Sequence, residues 1–161
     1  MFGWFLCSDW GGDQDTRRST SGHYFFIGNS AVSWVSKKQP TVATSSSEAE
    51  YKATFSATTE CIWLRQLLVD MKHGQPSATL LFTDSQSAIA IARNPVFHAR
   101  TKYIEIHYHF VREKLHNGNI TLEYCPTEDN IADVFTKALP RVRFKALCEA
   151  LNLKQHADFL T

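Results

Sequence analysis

The stretch SSSEAEYKATFSATTECIWLRQLLVDMKHGQPSATLLFTDSQSA, residues 45–88, decides the architecture. Three serines precede Glu48, Ala49 and Glu50. A hydroxyl cap followed by acids in the first turn is a helix start. Apolar residues then recur as Ala53, Ala57, Cys61, Leu64, Leu68 and Met71. Steps of three and four make one helical face, which predicts a helix to about Lys72. Gly74, Gln75 and Pro76 stop it. Thr79 to Thr83 reads as a short strand ending in Asp84. Ser85 is placed to cap a second helix to Arg93, which Asn94-Pro95 terminates. Helix, strand and helix in succession point to a layered α/β domain.

Upstream, Trp4 to Cys7, His23 to Ile27 and Ala31 to Ser36 read as three strands, with Val32 and Trp34 on one face of the last. Gly11-Gly12-Asp13 and Gly28-Asn29-Ser30 supply the turns, so the three form an antiparallel meander. Downstream, Ile104 to His116 reads as a helix ended by Asn117-Gly118, and Ile120 to Cys125 as a fifth strand. Pro126 to Asn130 is a loop, and Ile131 to Ala138 and Val142 to Leu151 are expected as helices around Pro140. A length of 161 residues suits one domain, expected over 1–151 with a tail over 152–161. At 43% hydrophobic and 20% charged residues, global disorder is excluded. No apolar run approaches the ~18 residues of a membrane span. Met1 to Trp10 lacks the charged and apolar regions of a signal peptide. Cys7, Cys61, Cys125 and Cys148 show no C-x-x-C pairing and read as reduced thiols. The expectation is an intracellular protein, cytoplasmic or nuclear, with no membrane partner. A net charge of +1 gives no global attraction to nucleic acid, so any such contact must be a local patch.

Four acids close different elements. Stepping back three residues along the helix stripe from Ala53 reaches Glu50, which therefore faces the sheet, whereas Glu48 lies about 200° around the axis and faces solvent. A buried Glu50 is either a ligand or a carboxylate held by a helix N-terminus or a lysine. Asp84 ends a strand, where α/β sheets place ligands, or else competes with Ser85 as a cap. Asp9 ends the first strand, two residues after Cys7 on the same face. Asp133 opens a helical segment, where it serves either a site or the helix dipole. Together Asp9, Glu50, Asp84 and Asp133 make the pattern of a divalent-metal site, since hard cations take carboxylate oxygens and two of them can clamp a phosphodiester.

The segments WGGDQDTRRSTSG, SWVSKKQPTVATSSSEAEY, TDSQSAIAIARNPVFHARTKYIEIHYHFVRE and LEYCPTEDNIADVFTKAL carry a resemblance. From about Gly3 to Leu151 the chain resembles the ribonuclease H domain of copia-type LTR retrotransposon Pol polyproteins. The resemblance implies a ribonuclease H-like fold, a five-stranded mixed sheet in which an antiparallel meander joins parallel strands, with flanking helices. It implies cleavage of the RNA strand of RNA–DNA hybrids with two Mg²⁺ ions, Mn²⁺ being able to substitute, and a reverse transcriptase domain upstream. The family's helix Glu falls on Glu50, its strand-end Asp on Asp84 and the Asp of its ADxFTK motif on Asp133. The first strand departs. The family reads like YCDSDWGGD, with the first Asp as the bridging ligand; here FLCSDWGGD reads as the loss of that Asp, with Cys7 in its place. Sulfur is a poor Mg²⁺ ligand. Asp9 matches the second Asp of the pair, about 6–7 Å along the strand from the bridging position. The expectation is a retained fold with activity strongly reduced or lost; a strand slip that returns Asp9 to the site, or a catalytically inactive binding or interaction module, are the alternatives.

Arg17, Arg18, Lys37, Lys38, Arg100 and Lys102, with Arg112, Lys114, Trp34 and Tyr103 nearby, are candidates to track a hybrid backbone, or else a solvated surface. His98, His107, His109 and His116 invite a zinc reading, but His107 and His109 are two apart on a helix and so on different faces, and no cysteine stands at ligand spacing, so zinc is not expected. The loop 126–130 holds no histidine. Trp10, Trp34, Trp63 and Phe135 are expected in the core, as is Cys61.

Overall fold

The computed structural model describes residues 2–94 and 102–153. Its five-stranded sheet contains β1 (Phe2–Ser8), β2 (Thr20–Ile27), β3 (Ser30–Lys38), β4 (Thr79–Thr83) and β5 (Ile120–Tyr124). The order is β3–β2–β1–β4–β5. β1 pairs antiparallel with β2 and β2 with β3, while β1–β4 and β4–β5 are parallel. This is the mixed sheet expected from a meander followed by crossover helices. Those helices are α1 (Ser46–Asp70), α2 (Gln86–Arg93) and α3 (Lys102–His116), and α4 (Arg141–Ala150) follows the sheet.

α1 starts where its cap residues say it should. The Ser45 hydroxyl accepts from the Glu48 amide at 3.1 Å. The Glu48 carboxylate turns back to accept from the Thr44 amide at 2.8 Å and pairs with Lys52 at 2.7 Å, so it folds onto the cap instead of pointing into solvent. The core joins Trp4 and Leu6 of β1, Leu81, Ile120 and Leu122 of the parallel strands, and Ala53, Ala57, Cys61 and Leu64 of α1. The alanines let the helix lie close on the sheet. At ~1.5 Å per residue α1 is about 37 Å long, whereas β1 and β2, the strands it packs on, span only about 23–27 Å. The helix overruns the sheet, and so the predicted stripe fails at Met71, which is 58% exposed.

Three further expectations change. Trp34 and Trp63 are exposed at 61% and 58%, because no layer covers the outer faces of β3 and α1, and Trp10, in the turn after β1, is exposed at 62%; Phe135 is half-buried and stacks on Tyr24. β2 and β3 slip register between Phe25 and Phe26, where Val32 is the extra residue of a bulge. Residues Ile131–Phe135 form a 3-10 turn, not an α-helix to Ala138, closed by bonds from the Asp133 amide to Asn130 at 3.2 Å and from the Thr136 amide to Asp133 at 3.1 Å. That turn sits directly on β2: a Cβ at Gly22 would lie 2.6 Å from Thr136 Cγ2 and 2.9 Å from Phe135 Cβ. Cys7, Cys61, Cys125 and Cys148 are free thiols. Among the described residues no helix is long and apolar enough to cross a membrane.

Candidate active site

The site forms where β1 and β4 run in parallel beside the N-terminal turn of α1. Cys7 is the next-to-last residue of β1 and is fully buried. The ligand atoms of Cys7, Glu50 and Asp84 lie within 4.8 Å of one another. The Cys7 thiol donates to Asp133 Oδ1 at 2.9 Å. Burial, then the negative charge of Glu50 and Asp133, pushes that thiol far above its ordinary range. Cys7 is therefore a neutral thiol at pH 7.

Glu50 turns inward, as its place on the helix stripe requires. Its Oε1 accepts from the Ser8 amide at 3.1 Å, while Oε2 is buried with no hydrogen-bond partner. Burial, followed by the charge of Asp84, pushes Glu50 up to about 8, and the Ser8 N–H only partly opposes this. Asp84 is free of capping duty, because the Ser85 hydroxyl takes the Ala88 amide at 3.2 Å. Its carboxylate instead accepts from Thr127 Oγ1 at 2.8 Å and Asn130 Nδ2 at 3.3 Å. The Asn130 side chain also donates to the Leu6 carbonyl at 3.0 Å, tying this turn to β1.

Asp133 is buried and already neutralised. Lys137 Nζ lies 2.7 Å from Oδ1 and an Arg143 guanidinium nitrogen 2.8 Å from Oδ2. Burial alone would lower the Lys137 ammonium, but its bond to Asp133 and the surrounding acids hold it above its usual value. The structure brings Glu50, Asp84 and Asp133 together around Cys7 and places Asp9 elsewhere. β1 ends at Ser8. The Asp9 amide donates to the Thr20 carbonyl at 3.1 Å, and its carboxylate accepts from the Thr20 amide. That carboxylate packs over Gly12, where a Cβ would fall 2.1 Å from Oδ2. Asp9 closes the β1–β2 turn.

Two Mg²⁺ ions do not fit this donor set. Only Glu50 and Asp84 present carboxylate oxygen without a cation already bound to it. Cys7 offers neutral sulfur, and Asp133 is held by two side-chain cations.

Arg17 and Arg18 are exposed on the β1–β2 turn, and Lys38 pairs with Asp13. Lys37 lines a cavity of about 390 Å³ with His23, Gln39, Lys52, Phe55 and His107. Arg100 and His98 lie outside the described residues, and Lys102 opens α3. His107 stacks on Phe55 with centroids 3.8 Å apart, whereas His109 is exposed beside Glu105, so the two do occupy different faces. The sequence reading missed Lys137, Arg143, Asn130 and Thr127. Only Lys137 left a signal, four residues after Asp133, where a helical turn brings side chains together.

No family model matches the chain. It is 37% identical over 146 residues to a retrovirus-related Pol polyprotein from transposon RE1 of Arabidopsis thaliana, covering 91% of this chain and 10% of that protein. It is 40% identical over 144 residues to the Pol polyprotein from transposon TNT 1-94 of Nicotiana tabacum, covering 89% of this chain and 11% of that protein. The chain thus spans about a tenth of the length of these relatives. Among solved structures, LC11-RNase H1, isolated from compost, superposes with a TM-score of 0.58 at 18% identity, over 84% of this chain and 94% of that one. The N-terminal RNase H domain of rv2228c from Mycobacterium tuberculosis matches with a TM-score of 0.57 at 11% identity, over 92% and 96%. LC11-RNase H1 has also been solved in complex with an RNA/DNA hybrid. The sheet order and the relatives agree: over about nine-tenths of its length the chain is similar to a segment of the retrovirus-related Pol polyproteins of transposons, and it has the ribonuclease H fold.

Proposed function

We propose that the chain is a ribonuclease H-like domain, over residues 1–151, whose two-metal cleavage of the RNA strand of RNA–DNA hybrids is impaired. One observation carries the reading: the neutral Cys7 thiol lies within 4.8 Å of Glu50 and Asp84 and 2.9 Å from Asp133, where the family reading expects a bridging carboxylate. Glu50, Asp84 and Asp133 are the retained catalytic and metal-ligating candidates, and Asp9 does not replace the missing one. Arg17, Arg18, Lys37 and Lys38, with Arg100 and Lys102, are the proposed backbone contacts, and an upstream reverse transcriptase domain is the proposed partner in the polyprotein.

The test is Mg²⁺- and Mn²⁺-dependent cleavage of a labelled RNA–DNA hybrid by the parent, Cys7→Asp and Asp84→Asn. The expected result is cleavage by Cys7→Asp alone. Cleavage by the parent, abolished in Asp84→Asn, overturns the impairment.

A second reading, hybrid binding without cleavage, has its own support in the exposed Trp34 and Lys37 on β3. Stacking surfaces and phosphate contacts work without a metal site. It predicts hybrid affinity that falls with salt and weakens in Lys37→Ala.

A further inference from the structure

The Cys7 cluster is unsuited to a pair of hard cations, but its donors match a different one. We propose that Cys7, Glu50 and Asp84 form a three-ligand site for one borderline, thiophilic divalent cation of the Zn²⁺ class, open to water at its fourth position.

The first support is geometric. One sulfur and two carboxylate oxygens converge within 4.8 Å. Tetrahedral Zn²⁺ with bonds of about 2.3 Å to sulfur and 2.0–2.2 Å to oxygen has ligand–ligand edges of ~3.6 Å. The longest separation must therefore close by roughly 1 Å, within the reach of small carboxylate rotations. The second support is the state of the donors. Glu50 Oε2 is buried and makes no hydrogen bond, which is costly for a carboxylate oxygen and leaves a lone pair for a ligand. The outer contacts are those of a supported metal site: the Ser8 amide holds Glu50, and Thr127 and Asn130 hold Asp84. The third support is charge and access. A thiolate with two carboxylates carries three negative charges against two on the cation, and the Lys137 ammonium, itself bonded to Asp133, stands beside Cys7 to balance the excess. Cys7 is fully buried while Glu50 and Asp84 are partly exposed, so the cation enters past the carboxylates and sulfur closes the inner side.

The binding step is balanced. A Zn–S bond forms as the Cys7 S–H bond breaks, a Zn–O bond forms as Glu50 gives up its carboxyl proton, and both protons leave to buffer; no electron moves. Thiolate ligation selects Zn²⁺ or Co²⁺ over Mg²⁺, which takes oxygen.

The inference rests on the same cluster as the proposed function, so its test omits nucleic acid. The purified chain is titrated with Co²⁺ alone in thiol-free buffer, followed by Zn²⁺ or a large excess of Mg²⁺. The parent is expected to show a thiolate-to-cobalt charge-transfer band that saturates at one Co²⁺ per chain. Zn²⁺ should bleach it and Mg²⁺ should leave it. Cys7→Ser should lose the band while keeping the parent's circular dichroism. Asp84→Asn should keep the band with affinity reduced at least about tenfold. Cys125→Ala, altering a thiol outside the cluster, should match the parent. A folded parent with no band, a band that survives in Cys7→Ser, or displacement by Mg²⁺ at equal concentration overturns the proposal. None of these results bears on whether the parent or Cys7→Asp cleaves a hybrid.

Discussion

Replacing Cys7 with Asp should harm the metal-free fold before it helps anything. The new carboxylate would enter a space whose ligand atoms lie within 4.8 Å of one another. At that separation and an effective dielectric of 20, one like-charge pair costs about 3.5 kcal/mol. At pH 7 Glu50, pushed up to about 8, is mostly protonated, and Asp133 is balanced by Lys137 and Arg143. The charge of Asp84 is therefore the main opponent, and the expected loss is roughly 3 kcal/mol relative to Cys7→Asn, which has the same shape without the charge. Mg²⁺ at a hundred times its Kd should return about 2.7 kcal/mol to Cys7→Asp. The assay is urea denaturation of both variants at pH 7, in EDTA and in Mg²⁺. Coincident transitions of the two variants in EDTA, or an equal response of both to Mg²⁺, would refute the placement of Cys7 among these acids.

Glu50 has a folded pKa raised above its unfolded value, so the stability tied to its protonated form is lost as pH rises toward and through 8. Glu50→Gln should remove this loss and exceed the parent by roughly 4 kcal/mol at pH 9, read from denaturation midpoints at pH 6 and 9. His23 is shifted the opposite way: burial lowers it to about 4 from 6.5, so its neutral form contributes fully above 6.5 and that contribution is lost as pH falls toward 4. Between pH 7 and pH 4.5 the parent should lose about 2.5 kcal/mol that His23→Phe does not lose, measured by urea unfolding at the two pH values. Ser45→Ala should cost about 1 kcal/mol by removing the α1 cap, visible in thermal unfolding, with little change in Ser46→Ala.

The sequence was most legible where chemistry is local. The Ser45 cap, the alanine-rich stripe and the Gly74–Pro76 stop are each contained within a few residues, so α1 and its inward Glu50 could be read directly. The assignment of Ser85 as a cap freed Asp84 in the same way. What was not legible depends on neighbours distant in the chain. Whether Trp34 is core or surface turns on whether another layer covers β3, and no residue of β3 says so. Asp9 and Cys7 alternate correctly for a shared face, but the strand ends at Ser8, where pairing with Ser21 brings the chain into the turn. Asp133 gave no sign of Arg143, ten residues away across Pro140. The 3-10 turn followed from close packing on Gly22 rather than from helix propensity.

The bulge at Val32 has a consequence for the domain in solution. β3 is an outer strand whose Trp34 face is uncovered, and such a strand is a template on which a second chain can pair. The extra residue interrupts the even spacing of its free backbone groups and bends the ladder. Lys37 then sets charge at the far end of the same strand, beside the Lys38–Asp13 pair. A second copy approaching edge to edge meets a broken hydrogen-bond rhythm at one end and like charge at the other. The apolar surface of Trp34 thus stands on an edge shaped against self-association, so that it stays exposed without seeding a growing sheet.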